Sequence, residues 1–306
     1  MRQAHDDAGH AGRWHRRTRR GNPLTSGASA LALAFLVAIQ LPAAAADPPT
    51  PAGWITLLHT NDIHGEYAPR PLSRLDGRPA GGFVALAARV ASIRRGGPTV
   101  LFDAGDLMTG TPITTLDYQG VAGGAIVELM NRVGYDAMEL GNHELDHGKA
   151  ACLAVVDRAR FPVLCANLAD SATGKPFMAR DGGTLILERG GVRIGIIGLI
   201  LDDLRRVVPR SVIAGLQVRP SIAVAEEAVA KLDPQTDLIV VVTHQGLDAC
   251  QDLAQAVSGI DVIVAGHDHQ ATPQPIEKSG VLIVETGSRL ERLGRLDLRV
   301  EKDRVV

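Results

Sequence analysis

Seven histidines lie downstream of residue 46, and five of them fall in short polar clusters that directly follow apolar runs. The clusters are Thr60-Asn61-Asp62-Ile63-His64-Gly65, Asp103-Ala104-Gly105-Asp106, Gly141-Asn142-His143-Glu144, His244-Gln245-Gly246 and Gly266-His267-Asp268-His269. Histidines that only face solvent would scatter without regard to such runs. Imidazole nitrogens gathered beside Asp62, Asp106 and Asn142 form a donor set for Zn, Mn, Fe or Co, and the lack of thiolates disfavours a structural zinc site. Two divalent ions ~3.5–4 Å apart can clamp a phosphate and generate hydroxide at neutral pH. A carboxylate must bridge them, and a lone Asp between the outer clusters suits that role. Two carboxylates against about four units of metal charge leave a locally positive pocket for an anionic ester.

The elements that must position these clusters can be read from the apolar pattern. Strands are expected at 54–59, 98–103, 135–140, 163–166, 237–243 and 261–265. Helices are expected at 82–95, 121–133, 148–160, 221–232 and 248–258. Residues 184–189 and 192–200, joined by Gly190-Gly191, read as a hairpin, and 281–286 with 293–300 read as another. Alternation broken by hairpins indicates an α/β architecture with mixed sheets. Every cluster then lies beyond a strand's carboxyl end, where ligands gather in such folds.

The 306 residues, 45% hydrophobic and 22% charged, can bury a full core. Residues 1–46 read as a secretory signal peptide: a basic stretch at 13–20, an apolar run at 31–41, and Ala44-x-Ala46 before Asp47. That run is short of the ~20 residues that span a bilayer. The expectation is a periplasmic or secreted protein with no membrane attachment after cleavage, by either the general or the twin-arginine route. Residues 47–53 form a Pro-rich leader, and 54–306 one catalytic domain. Downstream of residue 46 there are 26 basic and 32 acidic residues, which argues against binding polymeric nucleic acid. Cys152, Cys165 and Cys250 match no zinc spacing and read as buried small apolar residues, with one disulfide as the alternative.

Asp62-x-His64, Gly105-Asp106, Gly141-Asn142-His143-Glu144, His244 and Gly266-His267-x-His269 together resemble the calcineurin-like metallophosphoesterases. Leu58 to Gly65, Gly141 to Gly148, Cys165-Ala166-Asn167-Leu168 and Gly191 to Leu199 are similar to the 5′-nucleotidase branch. The resemblance covers about residues 54–300. It implies a four-layer α/β/β/α sandwich with two mixed sheets. One metal would be held by Asp62, His64, Asp106 and His269, and the second by Asp106, Asn142, His244 and His267, with Asp106 the bridge. His143 would be the catalytic imidazole and Asp146 would orient and charge it. The nucleophile would be a metal-bound hydroxide.

The expected substrate is a small organophosphate such as a nucleotide. Two-domain relatives grip the nucleoside with aromatics of a further C-terminal domain. Here eight aromatics follow residue 46, and no pair is spaced to sandwich a base. An open site of broad specificity is expected, or one completed by a partner or dimer mate. Competing readings are a phosphodiesterase on cyclic nucleotides or nucleotide sugars, a thiosulfohydrolase-like hydrolase, and a non-catalytic binding module. The intact ligand set weighs against the last. Glu144, His59 and His147 read as structural, Asp103 and Asp268 as supports behind the ligands, and Asn61 and Asn167 as residues that orient ligands or line the site.

Overall fold

A computed structural model describes residues 53–301 and 305. The expected signal peptide and nearly all of the leader lie outside the described residues. Eleven strands build two large sheets. They are β1 (Trp54–Thr60), β2 (Thr99–Asp103), β3 (Ala137–Glu139), β4 (Val163–Leu164), β5 (Thr184–Arg189), β6 (Val192–Ile200), β7 (Leu238–His244), β8 (Val262–Ala265), β9 (Ile276–Lys278), β10 (Val281–Val284) and β11 (Gly294–Arg299). The helices are α1 (Gly82–Arg94), α2 (Gly124–Val133), α3 (Lys149–Val156), α4 (Leu204–Val207), α5 (Ser221–Leu232) and α6 (Leu247–Ala256).

The first sheet has the order β11-β1-β2-β3-β4, and the second β5-β6-β7-β8-β10-β9. Both have a parallel centre: β11 on β1 is the one antiparallel edge of the first sheet, whose other edge, β4, runs parallel to β3, and β5 on β6 and β9 on β10 make both edges of the second antiparallel. Strand alternation explains the layering. Ile55, Leu57, Val100 and Phe102 point to one side and pack on Ile194, Ile196, Val240, Val242 and Val264 of the other sheet. The opposite faces of the first sheet, through Leu58, Leu101 and Met138, meet α1, α2 and α3. Those of the second, through Ile197, Leu199, Ile239, Val241 and Ile263, meet α5 and α6. The result is the expected four-layer α/β/β/α sandwich. All three cysteines are buried and free. Among the described residues no helix is long and apolar enough to cross a membrane.

One expectation fails. Residues 281–286 and 293–300 do not pair with each other. Val281–Val284 is apolar on both faces and lies inside the second sheet, parallel to β8. Its hairpin partner is β9, reached through Ser279 and Gly280, both at positive φ. Gly294–Arg299 instead joins the edge of the first sheet beside β1. The intervening segment therefore crosses between sheets at the rim. Helices are also shorter than the periodicity suggests: residues 121–122 pair with 117–118 before α2 begins.

His59 shows how tightly β11 docks. It sits opposite Gly294, where an added Cβ would lie 2.0 Å from the ring nitrogen Nε2. Burial pushes its pKa down to about 3. The unfolded chain takes up a proton here below about 6.5 that the folded chain refuses, so this stability is complete above that pH and is lost towards pH 3. Chemical denaturation between pH 6.5 and 4 should show it, at up to about 1.4 kcal/mol per pH unit. His59→Leu should flatten the slope by about one proton; an unchanged slope would mean that His59 does not control it.

Candidate metal centre

The strand-end loops are laced together by backbone before any side chain acts. Asp62 N donates to Gly105 O at 2.9 Å, His64 N to Asp106 O at 3.0 Å, and Gly246 N to Gly266 O at 2.9 Å. Asp62, His64, Asp106, His267 and His269 all have positive φ, between 50° and 92°. Asp and His enter this region more readily than bulky residues, but each such residue still costs roughly 1–2 kcal/mol. Five strained positions among seven expected ligands indicate a site that the rest of the fold holds in place. Close approach needs glycine as well: a Cβ on Gly141 would lie 2.3 Å from the Asp106 carboxylate.

Three groups of donor atoms converge, each within 4.8 Å: Asp62, His64 and His269; Asp106, His244 and His267; and His64, Asp106 and His143. Tautomers follow from what lies behind the rings. His64 Nδ1 donates to Thr109 O at 2.9 Å and His244 Nδ1 to Ala104 O at 2.7 Å, because a carbonyl only accepts. In the neutral ring each Nε2 is then a lone pair aimed inward. His244 Nε2 meets Asp106 Oδ2 at 3.0 Å, while His64 Nε2 and Asp62 Oδ1 meet His269 Nε2 at 2.9 and 3.2 Å. Acceptors this close need a cation between them. Asn142 Oδ1 is buried without a hydrogen-bond partner, and Asp62 Oδ1 and His244 Nε2 are buried with only the His269 and Asp106 contacts just given. The nitrogen and oxygen donors and their orphaned lone pairs fit a pair of divalent ions.

The electrostatics agree. Burial opposes a charge on His244, but Asp106 outweighs it and lifts the pKa to about 10. That proton marks the place of a cation, and a metal ion would displace it. Burial lowers the pKa of His64 and of His267, which keeps both as neutral ligands. Burial also works against the Asp62 and Asp106 carboxylates. For Asp62 the His269 hydrogen bond and the His244 charge overcome it, and for Asp106 the His244 charge does, so both acids end low.

His143 and Asp146 stand apart as a dyad. His143 Nδ1 donates to Asp146 Oδ2 at 2.6 Å, which leaves Nε2 facing inward, 3.9 Å from Asp106 Oδ2. Burial disfavours the charged ring, but Asp106 and Asp146 prevail and raise its pKa. Asn142 precedes it in the same turn, and His143 N donates to Asp106 Oδ1 at 2.8 Å. All nine singled-out residues thus lie on one rim.

The supporting residues divide. Glu144 is structural, as expected: its carboxylate accepts N–H from Asp106, Met108 and Gly141 at 3.1, 3.0 and 2.7 Å. Burial and Asp106 raise its pKa to about 7. Asn61 orients a ligand by donating to Asp62 Oδ2 at 2.7 Å. Asp268 turns away and accepts Leu247 N at the start of α6. Asp103 accepts from Thr60 and from Gly105 N, shaping the turn that leads to Asp106. Asn167 bonds both backbone groups of Ile200 and touches no ligand. His147 is exposed. Thr109 was not foreseen. Its carbonyl orients His64 and its hydroxyl donates to Asp146 at 2.6 Å. Its position three residues after Asp106 was the only available signal.

The sequence profile of the Calcineurin-like phosphoesterase family matches residues 55–271. A 5′-nucleotidase of Vibrio cholerae is 31% identical over 240 residues, covering 71% of this chain and 40% of its own length. The structure of a 5′-nucleotidase precursor from Thermus thermophilus superposes with a TM-score of 0.73 at 30% identity, covering 83% of this chain and 53% of its own. A sulfate thiohydrolase from Thermus thermophilus shares the fold, with a TM-score of 0.76 at 24% identity over 85% of this chain and 56% of its own. This chain spans about half the length of these relatives or less.

Ions that bind only the folded rim should stabilise it. At about 100 times its Kd, Mn²⁺ or Zn²⁺ adds roughly 2.7 kcal/mol. In a domain of this size that raises Tm by roughly 5–10 °C. Scanning calorimetry with and without metal, and after chelation, reads this directly; an unmoved Tm would reject the rim as a metal centre.

Proposed function

This chain belongs to the calcineurin-like phosphoesterases, and from that premise we propose that it is a two-metal hydrolase of small phosphate monoesters, nucleotides among them. The supporting observation is the convergence of the donor atoms of Asp62, His64, His244, His267 and His269 with the Asp106 carboxylate, with the His143–Asp146 dyad at its edge. In this reading Asp62, His64, Asp106 and His269 hold one ion. Asp106, Asn142, His244 and His267 hold the other, and Asp106 is shared. Divalent ions there supply Lewis-acid activation of water and of the phosphoryl oxygens. Their identity among Zn, Mn, Co and Fe is left open by a donor set that suits all four.

The chain's own residues do the rest. His143 carries its second proton on Nε2, stabilised by Asp106 and Asp146 against the cost of burial. It gives that proton to the departing alkoxide, which avoids expelling a strong base. Asp146, itself held by Thr109, fixes the ring's tautomer and orientation. The low pKa of Asp62 and of Asp106 keeps both ionised at neutral pH. We further propose that residues 1–46 are a signal peptide, that 54–306 form the catalytic domain, and that the mature protein is periplasmic or secreted without membrane attachment. A partner or dimer mate that completes the substrate site belongs to the same proposal.

Purified protein loaded with Mn²⁺ or Zn²⁺ should hydrolyse at least one of AMP, ADP, a cyclic nucleotide, a nucleotide sugar and an aryl phosphate; turnover of none rejects the phosphoesterase reading. His143→Ala should keep its metal content and lose about 10²–10⁴ in kcat. Loss of metal instead would make it a ligand. Asp106→Ala should lose the ion pair, as read by elemental analysis, and full occupancy would reject it as the bridge.

A further inference from the structure

The metal ligands account for the phosphate but not for the group esterified to it. Beside them runs a groove of about 400 Å³ that begins at His267 and passes between the segment after β6, α4 and the first turns of α5 and α6. That volume is in the range of small-molecule sites. Its walls are fixed to the strands that carry the ligands. Asp202, just after β6, accepts Ser221 N at 2.9 Å and Ser221 Oγ at 3.1 Å, which ties that segment to the start of α5. Gln245, next to His244, donates Nε2 to Ile200 O at 3.1 Å.

The lining has a definite chemistry. Val207 and Ile222, 43% and 38% exposed, give the groove its aliphatic wall. Among the described residues no aromatic lines the groove, so it offers aliphatic contact without base stacking. The polar lining is mostly acidic: Asp202, Asp203 and Asp252 face a single cation, Arg206, already paired with Asp203 at 3.2 Å. A formal charge of about −2 thus lines a groove that opens at His267, beside a centre that would attract phosphate.

We propose that this groove seats the organic part of the ester and selects an uncharged or cationic alcohol with one apolar face, rejecting groups that carry a second phosphate. The inference rests on the phosphoesterase reading. The ions draw in the phosphate they reach. A further phosphate on the same substrate would extend into the acidic groove, whose one arginine, Arg206, is already paired with Asp203.

The test compares initial rates on AMP, ADP and phosphocholine, with inhibition by inorganic phosphate, for the metal-loaded full chain and for Asp252→Lys and Ile222→Trp. Both substitutions are on exposed helix positions. In the wild type, kcat/KM for AMP should exceed that for ADP by about tenfold. Asp252→Lys should narrow that gap about threefold and lower kcat/KM for phosphocholine by a similar factor. Ile222→Trp should raise KM for AMP about fivefold, with kcat changed less. Phosphate inhibition, which needs only the metal centre, should stay within about twofold in both variants. Equal wild-type rates on AMP and ADP, or variants that move neither ratio nor KM, overturn the groove while leaving the phosphoesterase reading intact. If the wild type hydrolyses none of the three, the groove proposal falls, and the phosphoesterase reading falls with it only when the cyclic nucleotide, the nucleotide sugar and the aryl phosphate are also left intact.

Discussion

The rim depends on where one carboxylate is held. Asp106 accepts His143 N at Oδ1, lies 3.0 Å from His244 Nε2 through Oδ2, donates its own N to Glu144, and accepts His64 N at its carbonyl. Those partners come from the ends of β1, β3 and β7, so a single residue after β2 sets the register of four strands in two sheets. An ångström of displacement would undo several contacts at once. Gly105 and Gly141 allow the position, since a Cβ on either would collide with the neighbouring turn at under 3 Å. The left-handed backbone of Asp106, at φ 58°, aims the carboxylate inward rather than along the strand.

Such an arrangement is unfavourable by itself. It combines several strained residues with buried acids and with a charged imidazole, His244, held in the interior by Asp106. Three apolar layers, one between the sheets and one beneath each helical face, hold it together. Glu144 contributes differently. By accepting three backbone N–H groups it satisfies donors that the turns cannot otherwise pair, and its pKa of about 7 reflects the nearby Asp106 charge on top of burial. A metal cation among the candidate ligands would relieve the crowding of negative charge, and metal affinity and folding stability would then be coupled at this rim.

The candidate site residues stand out in the sequence because chemistry restricts their residue types and strand ends restrict their places. Asp62, His64, Asp106, Asn142, His143, His244, His267 and His269 all follow apolar runs, and a reader needs only that regularity to place them on one rim. The alternation of apolar runs showed an α/β architecture with mixed sheets, whereas the four layers came from the family resemblance. The crossing at 285–293 was not legible. Val281–Val284 and Gly294–Arg299 each look like half of a hairpin, and only the pairing of β10 with β8 and of β11 with β1 separates them. Thr109 and Glu139 were invisible too. Thr109 acts through a loop conformation at φ 59° that no local pattern announces. Glu139 is fully buried between the sheets, where Gly198 leaves room for its carboxylate, and burial pushes its pKa well up. An acid inside an apolar layer breaks the rule by which the layer was recognised.

Charge acts on two length scales here. The chain beyond residue 46 carries more acid than base, and the groove beside His267 carries more still. At physiological ionic strength such fields fade over about 8 Å. A polyanion must bring many phosphates within that distance of acidic surface and is repelled at each. A small monoester, the proposed substrate, would bring one and place it among imidazoles and the charge of bound metal, where the local potential would be reversed. In that reading selection against polymers needs no steric gate. It would follow from confining positive charge to the rim of an acidic protein, through the same strand-end loops that place Asp106.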